Sequence, residues 1–535
     1  MMSRTALLAL LLGLSGCELA GEVAPPARTT LRVNLATKQL RFTWDPADGA
    51  ASYRLLADPD GLGFMPLGAD LTATSYDLGI SVHRLDWPLA RFKVQACNEL
   101  GCTDSNEVDT ARGMLAAIGY LKARNAGLHH HFGAAVAVSA SGDTLAVGVP
   151  GEASSFAGVN PAQSDELAPD SGAVYVFGRG SGGWALQAHV KAPDARTGAA
   201  FGWAVSLSAN GGALAVGAPY ADSGRGAAYV FTRGESGWEE HGRLAATDPQ
   251  AGDHLGWAVS LSGDGSALAA GAPDVAAGAG AAHVFIRGDG GWSEQSLTAP
   301  APQPGSQFGW AISMKADGSA LAAGAPGAAS GTGAVHCFAR SDAGYVPQGI
   351  LEGSSAEPGG RFGHALSSSA DGRSLAVGAP YAGAPGAGLA GAVYLFSRGE
   401  EAWALSLRVN APNAAADDRF GAAVALSADG GALAVGADQE DGAATGVGGD
   451  ASDDSAADSG AAYLFTRVEA GWYGQAHVKA WNTGAGDAFG YAVSLSGSGD
   501  TLAVGAIWES GGAVATDGER VHDDSLEQAG AVYLY

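Results

Sequence analysis

Acidic residues are concentrated in three segments of the sequence, where their oxygens could bind a divalent cation or a basic ligand. Segments 151–171, 438–459 and 508–529 contain 17 of the 55 Asp and Glu residues and a single base, Arg520. Hard cations require several carboxylate oxygens that converge within a short stretch of chain. Solvated insertions that bind nothing have the same composition, and this alternative stays open.

A run of three histidines stands near the first acidic segment and could add imidazole ligands to the carboxylates. Calcium is the cation expected if these acids form a metal site. The predicted metal ligands are Asp438, Asp453, Asp454, Asp458, Asp517, Asp523 and Asp524. The other residues predicted to lie on a ligand-binding face are His129, His130, His131, Asp165, Glu166 and Asp170.

Motifs for covalent or metal-assisted catalysis are missing from the sequence. It contains neither a Gly-x-Ser-x-Gly elbow between a strand and a helix, nor His-Glu-x-x-His, nor Gly-x-x-x-x-Gly-Lys. We therefore predict that the protein is not an enzyme. Two carboxylates on the acidic face could in principle hydrolyse a glycan, and this remains the least favoured alternative.

The overall composition excludes several classes of protein. A formal charge of −26 makes nucleic acid an improbable partner, because phosphate binding requires clustered Lys and Arg. The 83 glycines are about twice the usual share, but they do not recur every third residue as collagen requires. With 47% hydrophobic residues, the chain has enough apolar surface for a large core.

The N-terminus has the pattern of an exported protein. Arg4 is followed by an apolar run from Thr5 to Leu14, which is too short for a membrane-spanning helix. The next residues, Ser15, Gly16 and Cys17, complete a sequence that resembles the bacterial lipobox. The resemblance implies a signal peptide over 1–16 and a lipidated tether over 17–30, anchored through Cys17. An ordinary signal peptide with a chance cysteine is the alternative.

Residues 31–110 predict a small β-sandwich. Stretches 40–44, 51–56 and 91–96 alternate apolar and polar residues with period two, as half-buried strands do. With Trp44 in an early strand, the region resembles a fibronectin type III module. It departs from that family in having Phe92 where a tyrosine usually stands, so a generic sandwich is also possible.

The cysteines predict one disulfide. Cys97 and Cys102 bracket four residues that form a plausible hairpin loop, which brings their Cα atoms within disulfide reach. Because exported proteins keep disulfides, we expect these two to be bonded. Cys337 lies in an apolar stretch and is predicted to be a buried, inert thiol.

Seven internal repeats fill the rest of the chain. Each begins with a large apolar residue followed by glycine, and most repeats are 53 to 69 residues long. The first residues of these pairs are Phe132, Phe201, Leu255, Phe308, Phe362, Phe420 and Phe489. Within a repeat, three apolar runs separated by tight turns are followed by a fourth segment that usually begins with tryptophan, so four antiparallel strands are favoured over helices.

Seven four-stranded repeats predict a seven-bladed β-propeller, and a β-helix fits the repeat length less well. Five tryptophans at matching positions are expected to pack blades rather than stack on sugars. They are Trp184, Trp238, Trp292, Trp403 and Trp472. The chain ends on a third strand, so residues 115–123, which resemble the ends of fourth strands, are predicted to complete blade seven and close the ring.

The repeats resemble the FG-GAP repeats of integrin alpha-subunit propellers in their Phe-Gly pairs, in the segment Val216 to Pro219 and in the segment Gly391 to Phe396. The resemblance implies a binding face at the loops between second and third strands. It does not extend to the calcium loops of that family, because each turn between first and second strands holds at most one carboxylate. The glycine of the second strand is present in every repeat, at Gly148, Gly217, Gly271, Gly324, Gly378, Gly436 and Gly505.

The sequence thus predicts an all-β chain with a small sandwich at 31–110 and a propeller at 115–535. The three acidic segments are the loops between second and third strands of blades one, six and seven, which become neighbours when the ring closes. We expect a monomeric lipoprotein of the bacterial envelope, at the outer membrane or cell surface, that binds or adheres to a protein or glycan. An envelope assembly scaffold is the alternative.

Overall fold

The structure is a computed structural model. It describes residues 24–59, 61–83, 90–110, 114–161, 165–180, 183–353, 358–384, 386–400, 402–469, 471–512 and 524–535. The predicted signal peptide and Cys17 lie outside these residues, as do Asp517 and Asp523. The described residues form two compact units, of which the first holds 24–34, 41–77 and 90–110 and the second holds 35–40, 78–83 and 114–535.

The N-terminal strands form two sheets. They are β1 (Leu31–Ala36), β2 (Gln39–Trp44), β3 (Ser52–Asp58), β4 (Met65–Pro66), β5 (Ser75–Gly79), β6 (Arg91–Asn98), β7 (Gly101–Asp104) and β8 (Val108–Asp109). One sheet has the order β1-β2-β5, and the other has the order β4-β3-β6-β7 with β8 also paired to β6. The two sheets share a core in which the rings of Phe42 and Phe92 lie 4.8 Å apart. The fibronectin type III resemblance stays a prediction.

The predicted disulfide is confirmed. Cys97 on β6 faces Cys102 on β7, and the two sulfurs are bonded. Cys337 is a buried free thiol, and burial raises its pKa to about 11. Cys337 lines a cavity of about 30 Å³, enough for about one water molecule, so it behaves as a core residue.

Seven four-stranded antiparallel sheets make up the described part of the second unit, which confirms the predicted propeller. Blades one to three contain β10 (Ala135–Val138), β11 (Thr144–Val149), β12 (Ala173–Gly180), β13 (Gly183–Val190), β14 (Ala204–Leu207), β15 (Ala213–Ala218), β16 (Ala227–Gly234), β17 (Gly237–Leu244), β18 (Val259–Leu261), β19 (Ala267–Ala272), β20 (Ala281–Gly288) and β21 (Gly291–Leu297). Blades four and five contain β22 (Ile312–Met314), β23 (Ala320–Ala325), β24 (Ala334–Ser341), β25 (Gly344–Leu351), β26 (Ala365–Ser368), β27 (Ser374–Ala379), β28 (Ala392–Arg398) and β29 (Trp403–Val409). Blades six and seven contain β30 (Ala423–Leu426), β31 (Ala432–Ala437), β32 (Ala461–Val468), β33 (Gly471–Val478), β34 (Phe489–Leu495), β35 (Leu502–Ala506), β36 (Ala531–Leu534) and, from the N-terminal side, β9 (Gly119–Leu121).

The ring closes as the sequence predicts. Strand β9 pairs with β36 in the register Tyr120 to Tyr533, and so completes blade seven. The innermost strand of blade seven also contacts that of blade one, since the Val138 amide donates to the Ser494 hydroxyl at 3.0 Å. A closed ring leaves no innermost edge free to pair with another chain.

Glycine is required where one blade meets the next. A Cβ at the second-strand glycine of any blade would overlap the carbonyl oxygen of the Phe-Gly or Leu-Gly glycine in the following blade. Gly505 and Gly133 make this contact across the closure. The first residue of the pair is buried in every blade, and in blades one, two, five, six and seven its ring packs edge-on against a third-strand tyrosine.

The loops between second and third strands differ among blades. In blades two to four each contains one helical turn, namely α1 (Ala221–Gly224), α2 (Val275–Gly278) and α3 (Ala328–Gly331). The described parts of the long loops in blades one, six and seven have no helix. One further short element, a 3₁₀ turn over Met114–Ala117, precedes β9.

Candidate functional site

All seven blades contribute side chains to a cavity of about 440 Å³, which therefore lies on the propeller axis. The lining residues come from three repeated positions: the residue after the Phe-Gly or Leu-Gly pair, the residue before it, and the residues that follow the second strand. They are His131, Ala134, Pro150, Trp203, Trp257, Trp310, Arg361, His364, Tyr381, Arg419, Ala422, Asp438, Tyr491 and Ile507. We call this space the axial cavity.

Four aromatic rings from consecutive blades form an arc on one side of the axial cavity. The ring centroids of Trp203 and Trp257 are 4.9 Å apart, and those of Trp257 and Trp310 are 4.7 Å apart. His364 continues the arc, 5.6 Å from Trp310. Successive rings are tilted by 46° to 48°, and Trp257 contacts a tryptophan ring from each neighbouring blade.

Two guanidinium groups line the cavity and lie over the ring of the same tyrosine. Arg361 and Arg419 each lie 5.7 Å from the centroid of Tyr381, and Arg361 is also 6.0 Å from that of Trp310. Such contacts stabilise a cation without neutralising it. Within the described residues Arg361 has no salt-bridge partner, whereas Arg419 pairs with Asp438 at 2.8 Å.

Asp438 is the one carboxylate among the described residues that line the axial cavity. The residue is 1% exposed, and burial raises its pKa even though Arg419 opposes the shift. One of its oxygens, Oδ1, has no hydrogen-bond partner among the described residues, and the same is true of Nε of Arg419. The structure thus places this predicted metal ligand in a salt bridge at the propeller axis.

The histidines of the cavity are neutral at pH 7. Burial, followed by the charges of Arg419 and Arg361, lowers the pKa of His364 to about 4. Burial also lowers the pKa of His131. The described cationic groups of the cavity are therefore Arg361 and Arg419, of which Arg419 is paired with Asp438.

Three of the other predicted aspartates, Asp165, Asp453 and Asp458, form hydrogen bonds within their own loops. Asp165 accepts hydrogen bonds from the backbone and the hydroxyl of Ser155, at 2.8 and 2.9 Å. Asp453 accepts from the Ser455 amide at 3.0 Å. The Asp458 amide donates to Asp441 at 2.8 Å, and Asp170, like Asp458, has left-handed backbone dihedrals. Asp454 and Asp524 lie near buried carboxyls of the same sector, which are Asp418 and Asp487 respectively.

Within the described residues, no three His, Cys, Asp or Glu side chains come close enough to hold a metal ion. The predicted calcium site therefore depends on residues that include Asp517 and Asp523, which lie outside the described part of the chain. It stays a prediction.

The three consecutive histidines have three different environments. His129 and His131 lie 3.0 and 3.3 Å from Oε1 of Gln528, in the long loop of blade seven. His130 is buried, and its Nε2 is 4.0 Å from a carboxylate oxygen of Glu166 in the long loop of blade one. The histidine run therefore lies between the loops of blades seven and one, and only His131 lines the axial cavity.

Each blade with a long acidic loop also contains a buried ion pair that sequence reasoning missed. A glutamate four residues after the second-strand glycine pairs with a lysine at the end of the fourth strand, and an asparagine of the incoming connection donates to the same carboxylate. The pairs are Glu152–Lys191, Glu440–Lys479 and Glu509–Lys122. We call them the loop clamps.

The loop clamps occur in the three blades with long loops, and the other four blades have different residues at the clamp positions. In blades two to five the glutamate position holds Ala221, Val275, Ala328 and Ala382. The lysine position of those blades holds Ala245, Thr298, Glu352 and Asn410. Four of the 17 acids in the three segments, counting Asp438, are consequently buried and paired, so the exposed acidic surface is smaller than composition indicates.

The residues of the axial cavity were also not predicted from the sequence, although their repeated positions relative to the Phe-Gly or Leu-Gly pair are visible in it. The residue after the Phe-Gly or Leu-Gly pair is tryptophan in blades two, three and four, and the residue before it is arginine in blades five and six. The residue before the pair has left-handed backbone dihedrals in all seven blades, including those where it is alanine. That conformation therefore belongs to the fold and not to the site alone.

A family model described as "FG-GAP repeat" matches residues 184–231 and 238–285. Each match runs from the fourth strand of one blade to the third strand of the next, so the sequence repeat is offset from the blade by one strand. No curated protein matches the chain.

Solved structures similar to this chain include three proteins of low sequence identity. Kuenenia stuttgartiensis hydrazine synthase is 13% identical with a TM-score of 0.45, over 72% of this chain and 94% of that one. Pseudomonas aeruginosa periplasmic gluconolactonase is 16% identical with a TM-score of 0.42, over 81% and 97%. Chaetomium thermophilum Sqt1 is 12% identical with a TM-score of 0.42, over 90% and 93%. The chain therefore contains FG-GAP repeat matches in two stretches, and its seven repeated four-stranded sheets form a β-propeller.

Proposed function

We propose that this protein is a non-enzymatic binding module of the bacterial envelope, whose ligand occupies the axial cavity. The main support for this proposal is the cavity itself. Three tryptophans and two arginines from different blades line a space of about 440 Å³. This volume is in the range of small-molecule sites, and few polar groups among aromatic side chains are typical of them. The ligand would be a small molecule or a protruding group of a protein or glycan.

A hydrolytic role is less well supported. Glycan hydrolysis by the usual route needs two carboxyl groups on opposite sides of the scissile bond. Asp438 is the one carboxylate among the described lining residues, and it is engaged by Arg419. We therefore retain binding as the proposed activity.

Binding at the axial cavity can be tested by replacing Trp257, the central ring of the arc. Purified protein would be mixed with the low-molecular-mass fraction of envelope extracts, and its unfolding midpoint measured. A ligand that binds only the folded state raises the midpoint. We expect a shift for the wild type and for Tyr473→Ala, an exposed aromatic residue on an outer strand, but not for Trp257→Ala. Equal shifts in all three proteins would contradict the proposal.

The proposed anchor rests on the lipobox-like sequence at Cys17. Several acyl chains on that residue would hold the protein stably at a membrane. In the described part of the chain, no helix has the length and apolar character needed to cross a bilayer. We expect the wild type to partition into detergent and Cys17→Ser to remain in the aqueous phase. Detergent partitioning of Cys17→Ser would contradict lipid anchoring.

Adhesion at the cell surface and a scaffold role inside the envelope place the propeller on different sides of the outer membrane. Protease treatment of intact cells distinguishes them. Cleavage of the propeller in intact cells supports adhesion, whereas protection until the outer membrane is broken supports the scaffold role.

A further inference from the structure

We infer that the axial cavity binds a monoanionic ligand, a carboxylate attached to an apolar ring, through the guanidinium of Arg361. This inference rests on the proposed function, because it specifies the ligand of the same cavity. Its first support is the balance of charge. Two arginines and one aspartate leave one positive charge uncompensated among the described lining residues, in a protein whose net charge is −26.

Arg361 is the group that carries the uncompensated charge. Arg419 already has Asp438 as its partner, whereas Arg361 lies over the rings of Trp310 and Tyr381 and has no salt bridge to any described residue. A guanidinium presents a planar fork of donors that matches the two oxygens of a carboxylate. A single uncompensated charge favours a monoanion over a phosphate dianion.

Unsatisfied polar atoms beside the arginines provide a second, independent observation. Oδ1 of Asp438 and Nε of Arg419 are buried without hydrogen-bond partners in the described structure. Buried polar atoms are nearly always paired, so a bound ligand or an ordered water is expected to contact them. A carboxylate can accept from Arg419, and a donor on the ligand can satisfy Asp438.

The apolar part of the ligand follows from the aromatic arc, whose Trp310 ring centroid is 6.0 Å from the Arg361 guanidinium. The three tryptophans pack ring against ring at 4.7 to 4.9 Å and line the cavity as a continuous aromatic surface. Pro150 and Ile507 complete this apolar lining. An apolar ring on the ligand would bury its surface against this aromatic and aliphatic lining.

Three probes of similar shape test the charge of the ligand: benzoate, benzamide and phenyl phosphate. Calorimetric titration of the full-length protein is expected to give affinities for benzoate at least about tenfold higher than for benzamide, since a hydrogen bond to a charged group contributes more than a neutral one. Arg361→Gln should abolish this difference. Arg340→Gln, which removes an exposed arginine on β24, should keep it.

The outcomes separate this inference from the proposed function. Equal affinities for benzoate and benzamide, both lost in Trp257→Ala, would overturn the anion inference and leave the cavity as a binding site. Tighter binding of phenyl phosphate than of benzoate would overturn the carboxylate assignment and indicate a phosphate ligand. Binding of none of the three probes at millimolar concentration would overturn the ligand class, and if Trp257→Ala also fails to change the response to envelope extracts, the function itself is wrong.

Discussion

At the scale of single residues, the loop clamps bury charged lysine and glutamate side chains inside the propeller. Lys191 and Glu152 are both fully buried, as are Lys479 and Glu440 to within 1%. Burial of ions is costly, and the pair is tolerable only when its hydrogen bonds are complete. Ser459 provides one of them, accepting from Lys479 at 2.7 Å. The clamps attach the base of each long loop to the outer strand of its own blade.

Loss of one clamp partner should destabilise the protein strongly. Lys479→Ala leaves the carboxylate of Glu440 buried without its lysine, although His477, Asn413 and the Gly442 amide still contact it. We expect the free energy of unfolding to fall by about 3 kcal/mol or more. The unfolding midpoint measures the effect. Lys315→Ala, which removes an exposed pair with Asp317, should cost about 1 kcal/mol or less. Equal midpoints for the two variants would show that the clamp does not stabilise the fold.

The stability of blade seven should depend on pH through Asp487. Burial, with the charges of Glu509 and Asp524, raises the pKa of Asp487 to about 7. A carboxyl whose pKa is raised by folding stabilises the folded state at low pH, and this contribution is lost as pH rises through 7.

Asp487→Asn should therefore raise the unfolding midpoint more at pH 8 than at pH 5. The gain in the free energy of unfolding is expected to be larger at pH 8 than at pH 5 by about 2 kcal/mol. Asparagine keeps an oxygen that can accept from the Gly484 amide, which Asp487 does at 2.8 Å. The midpoints of both proteins at the two pH values provide the measurement. A gain that is the same at pH 5 and pH 8 would contradict the assignment.

At the scale of elements, the packing of neighbouring blades depends on the second-strand glycine. Gly271→Ala would push a methyl group into the carbonyl oxygen of Gly309 in the next blade. Because the backbone cannot move aside as a flexible side chain can, we expect the free energy of unfolding to fall by at least about 2 kcal/mol. Gly290→Ala, in the same blade but with open space around it, should leave the unfolding midpoint almost unchanged. A similar midpoint for both variants would contradict this account of blade packing.

The elements were predictable because their signals are local. Phe-Gly pairs, tight turns and apolar runs recur within each repeat, and Ile118 to Ala123 resembles the ends of other fourth strands closely enough to predict the closure. The loop clamps were not predicted, because glutamate and lysine lie 39 residues apart in blades one and six. From the composition of the three segments, those glutamates were expected to belong to an acidic surface, whereas the folded chain buries them.

At the scale of the whole molecule, the axial cavity is a property of the closed ring. Trp203, Trp257 and Trp310 lie in separate repeats, and each one alone resembles an ordinary core residue. Only closure brings them near Arg361 and Arg419, so the site could not be derived from any single repeat. Their matching offsets from the Phe-Gly or Leu-Gly pair were the available signal, because equivalent positions in a propeller converge on its axis.

A crystal structure of the full-length protein equilibrated with its small-molecule ligand fraction tests the central claim most directly. We predict ligand density in the axial cavity, in contact with Trp257 and Arg361. Density confined to the long acidic loops or to the outer strands, with the axial cavity containing only water, would contradict the claim.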